Sequence, residues 1–240
     1  MLSIVIITKN EEKTIPILLK SIKKQDFSDY EVIVSDAKSI DNTRAIAKKY
    51  KCRIVKGGLP SVGRNNGAKA AKGNLILFLD SDTYIPKGFL KENVEEFNKK
   101  NLCIAIPLTK PISTKFIDKI LYSLFRGFTI ISQYFFPNGA GFCIFCKKKV
   151  FKKVKGFDEK LILGEDHDFI RRCLKYGKFG ILYSKPIFSS VRRFDREGRI
   201  KLITKYLILG LNQVILGRKS YSSIFNYEMQ GVNITRLNKK

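Results

Sequence analysis

"NLILFLDSD", Asn74 to Asp82, runs five large apolar residues into two aspartates separated by one serine. A continuous apolar run of this length reads as a strand buried on both faces, the pattern of a parallel sheet. Two readings then compete for Asp80 and Asp82. Open α/β sheets place ligands beyond the carboxyl ends of their strands, whereas Asp and Ser also favour ordinary turns by bonding their own backbone.

The flanking sequence supports the sheet. "LSIVIIT" is a first apolar strand, after which Ile15, Leu18, Leu19 and Ile22 form a helical face, with Thr14 as cap and Pro16 in the first turn. "YEVIVSD" and "CRIVK" are further strands, "IDNTRAIAKKY" and "VGRNNGAKAAKG" further helices, and "PKGFLKENVEEFNKK" a helix after the opening stretch. Such alternation predicts a parallel sheet covered on both faces. From Leu102 the rhythm changes. "LCIAIPL" and "AGFCIFCKK" read as strands around the apolar segment Ile112 to Phe136, and Gly156 to Gly180 as a loop, a helix and a stop. Residues 199–217 read as a basic-edged apolar helix before a polar, loosely held tail. The expectation is one α/β domain over 1–190, with 191–240 as an appended helix and tail.

Composition narrows the function. A hydrophobic share of 44% excludes wholesale disorder, and 46 Lys+Arg against 21 Asp+Glu, a net +25, calls for an anionic partner. Nucleic acid, a phosphate-bearing substrate and an acidic membrane all qualify. The odd number of cysteines, five, with irregular spacing points to a reducing compartment. Cys143 and Cys146 form a CxxC pair, but residues three apart on a strand face opposite ways, so they read as structural. "MLSIVIITKNEE" reads as a first strand rather than a signal peptide, which places the protein in the cytosol.

Polar residues follow three strands, in "TKNE", "SDAKS" and "DSD", and "GED" opens a later helix. Adjacent parallel strands end on one edge, so the first three groups would line one crevice. Two carboxylates there suit Mg²⁺ or Mn²⁺, which bind through one or two carboxylates plus substrate phosphates. In "GEDHDFIRR", acids at a helix N-terminus and bases toward its end stabilise the helix by roughly 0.3–1 kcal/mol each, and Asp168 with Arg172 is an i, i+4 pair. One of Glu165, Asp166 and Asp168 would also serve as a general base if it faced the crevice. His167, the single histidine, is either a titratable neighbour of that site or a surface residue, and the surface reading is preferred.

Taken in order, "SIVIITKNE", "VIVSDAKSIDNT", "GRNNGAKAAKGNLILFLDSD", "GFDE" and "GEDHDFIRR" resemble glycosyltransferase family 2, across roughly residues 2–190. The resemblance implies the GT-A fold, with a nucleotide-sugar half at about 1–100 and an acceptor half at about 101–190. It implies that Thr8, Asn10, Glu11 and Asp36 cradle the nucleotide, that Arg64 approaches the base, that Asp80 lies near the ribose and that Asp82 holds Mg²⁺ or Mn²⁺ on the diphosphate. Asp166 would be the general base, with Glu165 the next candidate, in an inverting single displacement on an acceptor hydroxyl. One departure stands out: many members carry Asp-Asp-Gly-Ser after the second strand, where this chain has "SDAKSIDNT" and Lys38 in place of the glycine.

The segment from Ser113 to Phe136 is long enough to span a membrane, but Asp118, Lys119 and Arg126 interrupt it, at a few kcal/mol for a central charge. Ile117, Leu121, Leu124, Phe128, Ile131 and Phe135 make one stripe, suited either to core packing or to an interfacial helix. Nearby Lys115, Lys119, Arg126, Lys201, Lys205, Arg218 and Lys219 favour an anionic membrane surface and a saccharide or lipid-linked acceptor. The competing class, a basic nucleic-acid- or membrane-binding protein without turnover, has charge in its favour but no zinc-ligand set, helix-turn-helix or RNP-like run, so nucleic acid is not expected as a partner.

Overall fold

The computed structural model describes residues 1–135, 137, 139, 141–161 and 164–204, together with the backbone of the strand pair Glu228–Met229 and Val232–Asn233. In chain order the first elements are β1 (Leu2–Thr8), α1 (Ile15–Lys23), β2 (Tyr30–Asp36), α2 (Thr43–Lys49), β3 (Arg53–Lys56), α3 (Pro60–Ala70) and β4 (Leu75–Asp80). There follow β5 (Thr83–Tyr84), α4 (Phe89–Lys99), β6 (Leu102–Ile112), α5 (Phe116–Ser132), β7 (Cys143–Lys147), α6 (Lys148–Lys153), α7 (Glu165–Cys173), β8 (Lys178–Ser190) and α8 (Arg192–Glu197). Thr14 stands at the N-cap of α1, but its hydroxyl bonds Glu11 instead of the helix's free N–H groups.

The described strands β1 to β8 form one mixed sheet in the order β3-β2-β1-β4-β7-β6-β8-β5. β1 lies parallel between β2 and β4, while β7 runs antiparallel to both β4 and β6. The chain therefore leaves β1 toward one edge and returns on its other side, which is a topological switch point. Alternation along the strands divides the core in two. Ile4, Ile6, Leu77, Leu79 and Phe145 pack on one face with Leu18, Phe89 and Phe97, and Val5, Ile76, Phe78 and Ile144 on the other with Phe151, Phe157 and Phe169. On that second face Phe157 stacks on Phe169 at 4.0 Å, and Phe78 meets Phe157 edge-on at 5.2 Å. Cys143 and Cys146 fall on opposite faces, both buried, as strand geometry requires.

α3 approaches β1 closely because it carries glycines. A Cβ at Gly67 would stand 2.2 Å from Val5 Cγ1, and one at Gly63 3.0 Å from Ile7 Cγ2. Gly67→Ala is expected to destabilise the fold by about 1–3 kcal/mol through overpacking, despite the gain in helix propensity. Urea unfolding reads this directly; an unchanged midpoint would refute it.

One feature differs from the sequence expectation, and one settles between two of its alternatives. The 13-residue strand β8 was not assigned from the sequence, where residues 181–198 show no clear period; its pairing with β6 carries a register shift between Pro107 and Thr109. α5 takes the outward-facing of the two orientations that its sequence left open. Its buried residues are Asp118, Thr129 and Ser132, while Phe116, Leu124, Phe128, Ile131 and Phe135 are more than 60% exposed among the described residues. Asp118, fully buried, explains the orientation: Arg199 Nε and Nη2 donate to its two oxygens at 2.7 and 3.0 Å, and Ser113 Oγ at 2.6 Å. Among the described residues, core packing therefore does not account for the stripe. No helix among the described residues is long and apolar enough to cross a membrane. Residues 199–204 are helical; the remainder of the expected 199–217 helix, and the tail apart from the strand pair, lie outside the described residues.

Candidate active site

Register sets the site. Thr8 pairs with Asp36 across β1 and β2, and Ile7 with Asp80 across β1 and β4, so three strand ends stop on one line. Beyond it the polar loops bond one another. Thr8 Oγ1 donates to Asp36 Oδ2 at 3.1 Å, the Ser39 amide to Asp36 Oδ1 at 3.0 Å, and the Ile40 amide to Asn10 Oδ1 at 2.9 Å. The Glu11 amide donates to Thr43 Oγ1 at 2.8 Å, fixing Glu11 at the mouth of α2. Lys38 sits at φ +58°, in the left-handed region where glycine costs least. The backbone turn expected of a glycine there is kept without one.

Arg64, on α3, is the hub of the other side. It is 3% exposed, and its Nη1 donates to Glu165 Oε1 at 2.8 Å while Nη2 donates to Asp80 Oδ1 at 3.1 Å and to the Gly141 carbonyl at 3.0 Å. Its guanidinium lies over the Phe157 ring at 5.5 Å. Asn65, the next residue, clamps the "GFDE" loop: it donates to the Phe157 carbonyl at 2.9 Å and accepts the Phe157 amide at 2.8 Å. Gly156, at φ +72°, leaves no room for a Cβ, which would stand 2.4 Å from Asn65 Oδ1.

α7 begins at Glu165 after Gly164, so Glu165 and Asp166 occupy its first turn. Asp166 Oδ1 accepts the His167 amide at 2.8 Å. A Cβ on Gly141 would stand 2.9 Å from Asp166 Oδ2 and 3.1 Å from Arg64 Nη2, so the bare backbone at 141 is what lets these groups gather. Asp168 turns away and pairs with Arg172 at 2.6 Å, as its i, i+4 spacing predicts. His167 is partly exposed, with Nε2 3.8 Å from Asp166 Oδ1.

One buried guanidinium thus faces Asp80, Glu165 and Asp166. Burial and then the Asp166 carboxylate push the Glu165 carboxyl up to about 7, against the pull of Arg64. The folded chain then binds a proton at Glu165 that the unfolded chain, titrating near 4.5, does not. Its contribution to stability is full below about pH 4.5 and is lost as pH rises through about 7. Asp118, held low by Arg199, acts in the opposite sense at more acidic pH. The unfolding free energy of the wild type from urea titrations is expected to fall between pH 5 and 7.5 by roughly 1–3 kcal/mol, and that of Glu165→Gln to fall much less; equal slopes would refute the assignment.

Two of the arginines that organise the site were treated differently by the sequence. Arg64 was singled out by its motif, but Arg192, on α8, was not. Arg192 Nη2 lies 3.0 Å from each Glu11 carboxylate oxygen and 3.1 Å from Asp82 Oδ2. β5 pairs with β8, Thr83 opposite Ser189, which delivers the residues after β8 to the turn that holds Asp82. The available signal was the Arg192-Arg193 pair, and without the strand before it nothing placed it near the site.

Among the described residues no group of three His, Cys, Asp or Glu side chains is placed to hold a metal ion. A divalent cation that takes one carboxylate and fills its shell from diphosphate and water oxygens nevertheless fits Asp82, whose side chain is 32% exposed and whose partner is the half-exposed Arg192. Asp80 fits less well, since buried Arg64 already binds it.

A mixed sheet with a switch point at β1, polar strand ends on one edge and acids on a following helix define a GT-A type fold. The sequence profile described as Glycosyl transferase family 2 matches residues 3–155, and the chain belongs to that family. Poly(ribitol-phosphate) beta-N-acetylglucosaminyltransferase TarS of Staphylococcus aureus is 40% identical over 100 residues, 38% of this chain but 18% of TarS. The chain therefore matches less than a fifth of that relative's length. A Methanococcus voltae dolichyl N-acetyl-alpha-D-glucosaminyl phosphate 3-beta-D-2,3-diacetamido-2,3-dideoxy-beta-D-glucuronosyltransferase is 27% identical over 246 residues, 93% of this chain and 76% of that enzyme. Among solved structures, TarS 1–349 in complex with UDP-GlcNAc superposes with a TM-score of 0.65 at 24% identity, covering 79% of this chain and 58% of that one. The mannosyltransferase PcManGT from Pyrobaculum calidifontis, in complex with GDP-Man and Mn²⁺, gives 0.67 at 16% identity, covering 86% and 64%.

Proposed function

We propose that the protein transfers a sugar from a nucleoside-diphosphate donor to an acceptor hydroxyl, in a metal-dependent, inverting single displacement. The observation that carries this is the alignment of Thr8, Asp36 and Asp80 on one sheet edge, with Asp82, Glu165 and Asp166 gathered around it by Arg64 and Arg192. The nucleotide lies over Thr8, Asn10, Glu11 and Asp36, with Asp80 toward the ribose. Arg64 acts as a positioning residue: it is 3% exposed, its Nη1 and Nη2 donate to Glu165, Asp80 and the Gly141 carbonyl, and it orients these groups from beneath instead of reaching a base. Asp82 would hold Mg²⁺ or Mn²⁺, which when bound neutralises charge on the departing diphosphate.

Asp166 takes the acceptor's proton as the hydroxyl oxygen bonds the anomeric carbon. The bond from that carbon to the diphosphate breaks, and its electron pair leaves with the nucleoside diphosphate. Glu165, tied to Arg64, is the second candidate for the base. Calorimetric titration with UDP, GDP and their sugars, with and without Mn²⁺, tests the reading. Binding that requires the metal is expected; no binding to any of them would sink it.

The acceptor is a saccharide or a lipid-linked one, met at an anionic membrane surface on the cytoplasmic face. What supports this is the outward apolar stripe of α5, flanked by exposed Lys115 and Lys119, in a chain of net charge +25. The dolichyl phosphate substrate in the name of the Methanococcus relative agrees with it. Flotation with anionic liposomes is expected to carry the protein upward at low salt and to fail for Leu124→Glu with Phe128→Glu; a wild type that stays in the aqueous fraction would overturn the membrane reading alone.

A further inference from the structure

Arg192 draws together two carboxylates from different strand ends. Glu11 follows β1 and Asp82 follows β4, and a single guanidinium nitrogen stands within 3.1 Å of both. The acids are the fixed partners. Glu11 is 6% exposed, with its amide on Thr43 and its carboxylate on the Thr14 hydroxyl. Asp82 is anchored by its carbonyl, which accepts the Ser190 amide at 3.2 Å. The backbone of α8 is fixed as well, since Phe194 packs edge-on against Tyr122 at 6.0 Å and Asp195 pairs with Lys115 and Arg199 at 3.1 and 3.0 Å. What remains movable is the Arg192 side chain, half exposed and long enough to swing about its stem.

A carboxylate oxygen cannot serve a guanidinium and a divalent cation together without placing like charges at contact distance. We propose that Arg192 is an intramolecular competitor for the cation position. Its guanidinium holds Asp82 against Glu11, and a divalent cation takes Asp82 only when it arrives with a diphosphate, onto which the displaced Arg192 then turns. This rests on the reading that Asp82 holds the metal. Arg192 thereby makes metal uptake depend on the donor: the cation alone must break two ion pairs, whereas the cation with a diphosphate gives the arginine a new anionic partner.

The test follows the aqueous Mn²⁺ electron paramagnetic resonance signal during titration of the full chain with Mn²⁺ alone, and UDP or GDP binding by calorimetry in saturating Mn²⁺. Arg192→Gln is expected to bind Mn²⁺ alone roughly threefold to tenfold more tightly than the wild type, and the nucleoside diphosphate with Mn²⁺ roughly tenfold more weakly. Arg192→Lys, which keeps the charge but loses the fork, is expected to fall between on both measures. An unchanged thermal midpoint shows that the variants are folded. If the wild type takes up Mn²⁺ with UDP or GDP and Arg192→Gln matches it in both titrations, or weakens both, the competitor role is overturned while the metal site stands. If Mn²⁺ binds to neither protein even with nucleoside diphosphate, the metal reading fails, and the role of Arg192 with it.

Discussion

Asp166→Asn is expected to lower turnover by about 10²- to 10⁴-fold while leaving nucleoside diphosphate affinity unchanged. The substitution is nearly isosteric and keeps an oxygen for the His167 amide, so the first turn of α7 should hold its shape. What it removes is the capacity to accept a proton. Single-turnover transfer, measured beside calorimetry of the donor, separates the two effects. Turnover within a few-fold of the wild type would remove Asp166 from the role of base. Loss on Glu165→Gln instead would pass the role one residue back.

Arg64→Met is expected to destabilise the fold by about 3–5 kcal/mol, the range seen when one partner of a buried ion pair is removed. Methionine fills much of the volume but leaves Glu165 and Asp80 without their donor and the Gly141 carbonyl without its N–H. Arg64→Lys should recover only part of this, because an ammonium is a point charge and cannot reach Glu165 and Asp80 in the fixed fork of a guanidinium. The double variant Arg64→Met with Glu165→Gln should be less destabilised than the sum of the two, since each removes the reason the other is costly. Urea unfolding measures all four variants, the single Glu165→Gln included. A loss under 1 kcal/mol for Arg64→Met would mean that the carboxylates rearrange to meet solvent.

Much of this was legible one element at a time. The continuous apolar runs of β1 and β4 reported burial on both faces, and the CxxC spacing on β7 correctly separated Cys143 from Cys146. The orientation of α5 was only leaned toward, by the basic residues beside it, because periodicity shows that a stripe exists but not which way it faces. Asp118 decided it, and a single acid in an apolar helix gives no sign that an arginine 81 residues on will meet it. The strand β8 escaped for a related reason: its residues alternate between buried and exposed irregularly, so its identity comes from pairing with β6.

The sequence by itself determined the alternating α/β order, the acids at the strand ends and the first turn of α7, because these depend on periods and caps within a few residues. The tertiary structure alone decided that Arg64 meets Glu165 across 101 residues and that Arg192 meets Glu11 across 181. Those contacts exist because the chain returns to β1 from both sides and then brings β8 to the turn after β4. Local periodicity carries no information about which distant strand will lie alongside, so the charges that balance the site's carboxylates became visible only once the sheet was assembled.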